Sequence, residues 1–144
     1  MSGTVTETLV PGKFLCVMVH LLLIIVIYYL RDNNIYAGVK STVASDDDDY
    51  KSAEAVLLVS LAFTTICLAF ELIIIVIGLT IYFDTLSATS IFLHALGILF
   101  SIWFVLLYWP YWIYWYIWLF TSFIPFFFEF MTVLTARIFF LYKY

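Results

Sequence analysis

Four side chains able to hold a charge or a metal, His20, Glu71, His94 and Glu129, each stand in a long apolar stretch. A charge in hydrocarbon costs roughly 3 kcal/mol on insertion scales, so such residues face protein and mark either an internal contact or a function. Two imidazoles and two carboxylates are an acceptable ligand set for zinc, yet the chain has no His-Glu-x-x-His run and no paired Glu-x-x-His spacing. The same groups suit a proton or ion path, because transporters place carboxylates near the membrane midplane, although a few helices without an internal repeat make a thin pathway. Interhelical glue accounts for them most simply. Polar contacts between membrane helices are worth only about 0.6 kcal/mol on average, but they fix register and exclude wrong partners. No nucleophile and base are arranged for hydrolysis, so neither an enzyme nor a cofactor is expected.

The elements that must hold these residues follow from composition. With 66% apolar, 22% aromatic and only 11% charged residues, the chain has too little polar surface to clothe a particle in water and reads as an integral membrane protein. Apolar runs cover 14–30, 55–83, 86–109 and 111–141. Each is long enough, at about 1.5 Å per residue, to cross a hydrocarbon core of about 30 Å. Without alternating polarity these runs favour helices over barrel strands. The expectation is an all-α, polytopic four-helix transmembrane bundle: one membrane domain over 1–144, with helices at 13–30, 53–83, 86–109 and 111–141 and a polar loop at 31–52. Its partners begin with the lipid bilayer and do not include nucleic acid.

Spacing places the ionisable residues within that bundle. Ser60, Thr64, Cys67, Glu71 and Gly78 fall on one stripe of the second helix. The third carries Ser87, Ser90, His94, Gly97 and Ser101, and the fourth Ser122, Pro125, Glu129, Thr132 and Ala136. Small residues let helices approach where lipid gives no hydrophobic drive, so these stripes are expected to be the bundle interior. Antiparallel helices put all four ionisable residues on the order of 10 to 18 Å from the interface on the side of the termini. Two His–Glu contacts, or one four-residue cluster, are therefore predicted.

The connections are short. Asp46 to Asp49 lack the alternate spacing and the glycine of a calcium loop and read as a solvated charge run, with the second helix starting close to Ser52. The second turn falls at Asp84 and Thr85, and the third at Pro110. Tyr108 to Trp118 is dense in Tyr and Trp, which concentrate at headgroup level, so the third turn is expected to anchor at an interface. Pro125 removes a helical hydrogen bond four residues before Glu129 and predicts a kink aimed at the polar layer. Cys16 and Cys67 both lie in apolar runs and read as small packing residues rather than a disulfide. The first run lacks a small-residue cleavage pattern, and Glu7 with no arginine before Arg31 is unlike a mitochondrial transit peptide. Lys13, Arg137 and Lys143 balance Arg31, Lys40 and Lys51 across the membrane, and the cations after the fourth helix lean both termini towards the cytoplasm.

Read in order, the residues resemble the transmembrane protein 107 family. The likeness rests on Leu9-Val10-Pro11-Gly12-Lys13-Phe14-Leu15, His20, Arg31-Asp32-Asn33-Asn34-Ile35, Asp49-Tyr50, Glu71-Leu72, His94, Tyr114-Trp115-Tyr116-Ile117, Pro125 and Glu129. Each motif is short, and the ordered set carries the resemblance across essentially the whole chain. It implies a small tetraspan protein of the ciliary transition zone, without catalytic activity. Such a protein supports cilium assembly and the diffusion barrier that controls ciliary membrane composition and, in vertebrates, hedgehog signalling. The implied partners are other transition-zone membrane proteins, including tectonic proteins, in the assembly named for Meckel and Joubert syndromes. The acidic stretch at 46–49, the aromatic third turn and the ending Leu141-Tyr142-Lys143-Tyr144 depart from the family pattern. Two other classes stand beside this one: an accessory subunit of another membrane complex, such as an organellar respiratory assembly, and a proton-coupled transporter or channel.

Overall fold

In the computed structural model the chain is described over residues 3–39, 45, 47–78 and 84–142. These residues form α1 (Gly3–Gly38), α2 (Asp48–Ile77), α3 (Asp84–Leu106), and a fourth span in three joined parts: α4 (Ile113–Trp118), a π-helical turn (Leu119–Phe123) and α5 (Ile124–Tyr142). Four of the helical spans are long and apolar enough to cross a membrane. No strand occurs among the described residues. The fold is all-α, as the apolar runs require.

Helix α1 packs along both α2 and α3, and the fourth span closes against α2 and α3 from the other side, so the spans form a ring with α1 diagonal to the fourth. Val17, Ile24 and Ile27 of α1 meet Leu57, Leu61 and Leu68 of α2, with Phe104 of α3 and Tyr114 and Ile117 of α4, in one buried cluster. Outward, Tyr29, Phe92, Leu106, Tyr116 and Phe120 are more than half exposed. Large apolar side chains exposed in such number on all sides are covered only by lipid, so the protein is integral to a membrane.

The helix ends differ from the sequence expectation, and polar pairing explains why. Helix α1 does not stop at Leu30 but continues through the polar segment to Gly38. Arg31 Nε donates to Glu54 Oε1 at 2.8 Å and its Nη1 to the Tyr28 carbonyl at 2.8 Å, while Tyr50 OH donates to Asp32 Oδ1 at 2.8 Å. Asn34, 1% exposed, donates through Nδ2 to the carbonyls of Phe104 at 2.6 Å and Trp109 at 2.8 Å. Supported in this way the polar residues stay helical. With 36 residues, α1 is about 54 Å long and projects beyond the hydrocarbon.

Helix α2 likewise begins before Ser52. Asp47 is its N-cap and accepts from the Asp49 N–H at 3.0 Å, so the acidic run opens the helix, where its charge favours the dipole. At the other end Gly78 adopts φ 79° and its N–H bonds to the carbonyls of Ile74 and Ile75. That left-handed cap suits glycine, so Gly78 ends the helix rather than lining its packing stripe. The expected continuation of α2 to Phe83 lies outside the described residues, and Asp84 and Thr85 open α3 instead of forming a turn.

The third turn follows Leu106, with Tyr108 at φ 49° and Trp109 N–H bonded to the Phe104 carbonyl at 3.2 Å. Its aromatic run divides by face. Tyr114 is fully buried against Phe104, ring centroids 5.3 Å apart, whereas Trp112 and Tyr116 point outward.

Asn34 ties α1 to the end of α3. Asn34→Ala should lower stability by about 1–3 kcal/mol in thermal unfolding of the detergent-purified protein, because two carbonyls lose their donor. The exposed neighbour Asn33→Ala should change it by less than about 0.5 kcal/mol.

Candidate functional site

Towards the opposite end of the bundle the helices converge on polar groups. Helix α1 presents Lys13 and His20, two turns apart on one face. Helix α2 presents Glu71, α3 presents Ser90 and His94, and α5 presents Glu129. None of these six side chains is more than 2% exposed.

Their contacts are specific. His94 Nε2 lies 2.7 Å from Glu71 Oε2, and the same oxygen accepts from Ser90 Oγ at 3.3 Å. His20 Nδ1 lies 3.4 Å from His94 Nδ1, with the two rings edge to face at 65° and centroids 5.7 Å apart. Glu129 forms an ion pair with Lys13. Lys13 and His20 are both buried on one face of α1, so the two sets belong to one layer.

The four residues singled out in sequence are all buried, but they do not pair as two His–Glu contacts. One such contact forms, His20 meets His94 rather than a carboxylate, and Glu129 takes a lysine. Lys13 is the residue that sequence reasoning missed, having been counted among the cations flanking the membrane. A lysine near a helix end ordinarily snorkels to water, but α1 begins at Gly3 and carries Lys13 inside the packed bundle. Its spacing from His20 was the available signal.

Small residues make room for the layer. The structure buries Ser60, Thr64, Cys67, Ser87, Ser90, Ser101 and Ser122, and Pro125 as well. Ser60 and Thr64 spend their hydroxyls on the Leu57 and Ser60 carbonyls of their own helix. At Gly97 an added Cβ would stand 2.5 Å from His20 Cε1 and 2.8 Å from Thr121 Oγ1, so only glycine lets α1 and the π-turn approach α3 there. Thr132 is half-buried, and the side chain of Ala136 lies outside the described residues. In place of a simple proline kink, the fourth span widens into the π-turn just before Pro125. Ile124 N–H reaches the Leu119 carbonyl, and buried Thr121 and Ser122 point inward.

Chemically, the arrangement holds protons and opposite charges together away from water. Both cysteines are free thiols. Among the described residues no three of His, Cys, Asp or Glu gather as metal ligands would.

Removing one member of a buried ion pair strands the other charge. Lys13→Met or Glu129→Gln alone should each cost about 3–5 kcal/mol, and the double substitution should recover most of that loss. Thermal melting of the purified protein and the yield of folded protein measure both. Gly97→Ala should destabilise by about 1–3 kcal/mol through overpacking on His20, read by the same melting assay.

The family model TMEM107, described as a transmembrane protein, matches residues 9–133. That stretch contains Lys13, His20, Glu71, His94 and Glu129. Transmembrane protein 107 of Danio rerio is 30% identical over 132 residues, which cover 92% of this chain and 96% of that protein. No solved structure matches. A match over most of the chain, together with a full-length relative whose extent coincides with the four-span bundle, shows that the chain belongs to the transmembrane protein 107 family.

Proposed function

We propose that this protein is a non-enzymatic structural component of the ciliary transition zone, needed for cilium assembly and for the diffusion barrier that controls ciliary membrane composition and signalling. The family match over nearly the whole chain carries this reading. The architecture supports it in a second way. The ionisable groups inside the bundle face one another instead of a solvent-filled cleft, which suits internal clasps better than turnover of a substrate.

Its partners, on this reading, are the surrounding bilayer and other transition-zone membrane proteins of the Meckel and Joubert type, tectonic proteins among them, with both termini in the cytoplasm. Lipid-facing Phe120, Phe127, Phe128 and Phe130 on the fourth span offer an apolar surface for neighbouring spans. No extramembrane domain is required for such a role, because specificity between membrane spans comes from side-chain shape and a few polar groups.

A fluorescently tagged chain expressed in ciliated cells should collect as a ring at the cilium base, with shortened or missing cilia when the protein is depleted. Uniform plasma-membrane signal would sink the proposal, and mitochondrial signal would favour an accessory subunit of a respiratory assembly.

A further inference from the structure

The chain of contacts from Glu71 through His94 to His20 has an order fixed by its first member. An ionised carboxylate only accepts hydrogen bonds. With Glu71 ionised, a neutral His94 ring therefore carries its hydrogen on Nε2, 2.7 Å from Oε2, and presents a lone pair at Nδ1. His20 Nδ1, 3.4 Å away, is then the donor, and His20 Nε2 becomes a bare acceptor. That nitrogen is fully buried and has no hydrogen-bond partner among the described residues.

Charge counting gives this open end a purpose. Lys13 and Glu129 cancel, so with both rings neutral the ionised Glu71 leaves the layer at net −1, in a site no more than 2% exposed. A buried charge lacking a full counter-charge is the arrangement that proteins avoid by binding or losing a proton.

We propose that Glu71, His94 and His20 form a three-membered proton relay, a binding site for one proton that enters at His20 Nε2 and neutralises the Glu71 carboxylate. An N–H bond forms at His20 Nε2. The His20 Nδ1–H bond breaks as its proton passes to His94 Nδ1, and the His94 Nε2–H bond breaks as its proton passes to Glu71 Oε2. One proton is taken from water and no electrons move. Both hydrogen bonds reverse direction while the heavy atoms keep their places, and the layer goes from −1 to neutral.

The surroundings fit this exchange. Gly97 lets α3 lie against His20 Cε1, the atom between the two ring nitrogens. Ser90 donates to the Glu71 oxygen that receives the proton. Around the relay, α1 contributes Lys13 and, one turn before His20, Cys16. Helix α2 contributes Cys67, one turn before Glu71, and α5 contributes Glu129 through Lys13.

Nitrogen NMR of the full-length protein in lipid nanodiscs, with ¹⁵N-labelled histidine, tests the relay without any substitution. On going from acidic to alkaline pH, His20 should move its hydrogen from Nε2 to Nδ1 and His94 from Nδ1 to Nε2, both at one common midpoint and both rings staying neutral. Separate midpoints, a doubly protonated ring, or no change over the range where the protein stays folded would overturn the proposal. Ser90→Ala should shift the common midpoint while keeping the rings in step. Glu71→Gln should abolish the concerted change, and a surviving switch in that variant would also refute it.

Discussion

A charge placed between helices in hydrocarbon has to find its counter-charge there, and this bundle depends on that rule at Lys13 and Glu129. The pair joins the first helix to the last, which are far apart in sequence and are drawn together by no hydrophobic force, since lipid is as apolar as their own side chains. Breaking it leaves a bare ion, whereas an apolar pair at the same position would lose only packing. The clasp therefore ties the first helix to the last across the bundle more than it adds net stability.

A second polar set works at the other end of the bundle under different rules. Arg31 and Glu54 are each about a quarter exposed, so their attraction is screened and worth about 0–1 kcal/mol. Asn34 contributes more because its partners, the carbonyls at the end of α3, are buried and would otherwise be unpaired. One end thus holds by charge neutralisation in a dry site, and the other by backbone capping near water. Between them lies a largely apolar stretch of Ile24, Ile27, Leu57 and Leu61, interrupted by the small buried hydroxyls of Ser60 and Thr64.

The class of fold was legible in the sequence because hydropathy and length reflect one strong constraint, the thickness of hydrocarbon. The ionisable residues were legible for the same reason, being costly exceptions to it. The helix ends were less so. Arg31, Asp32 and Asn34 look like loop residues until Glu54, Tyr50 and the α3 carbonyls are brought alongside, and sequence does not show those partners. Gly78 has the spacing of a packing residue, and only its backbone conformation makes it a cap. Lys13 was hidden by its distance from the apolar run's centre, and the partner of Glu129 was hidden with it. Small residues at 60, 64, 90 and 97 were readable as interior because they serve close approach, which depends on helical period alone.

The π-turn at Leu119–Phe123 sets the phase of everything after it. A turn of this kind accommodates one more residue than ordinary helix over the same path. Were the fourth span a plain α-helix, Glu129 would be rotated by about 100° and Phe128 would stand where the carboxylate now meets Lys13. The segment thus holds a spare residue. A one-residue deletion within it is absorbed by converting the wide turn to ordinary helix, with α5 keeping its facing, whereas an insertion has no such reserve. The two kinds of length change are unequal in this protein, and the wide turn is where that asymmetry is stored.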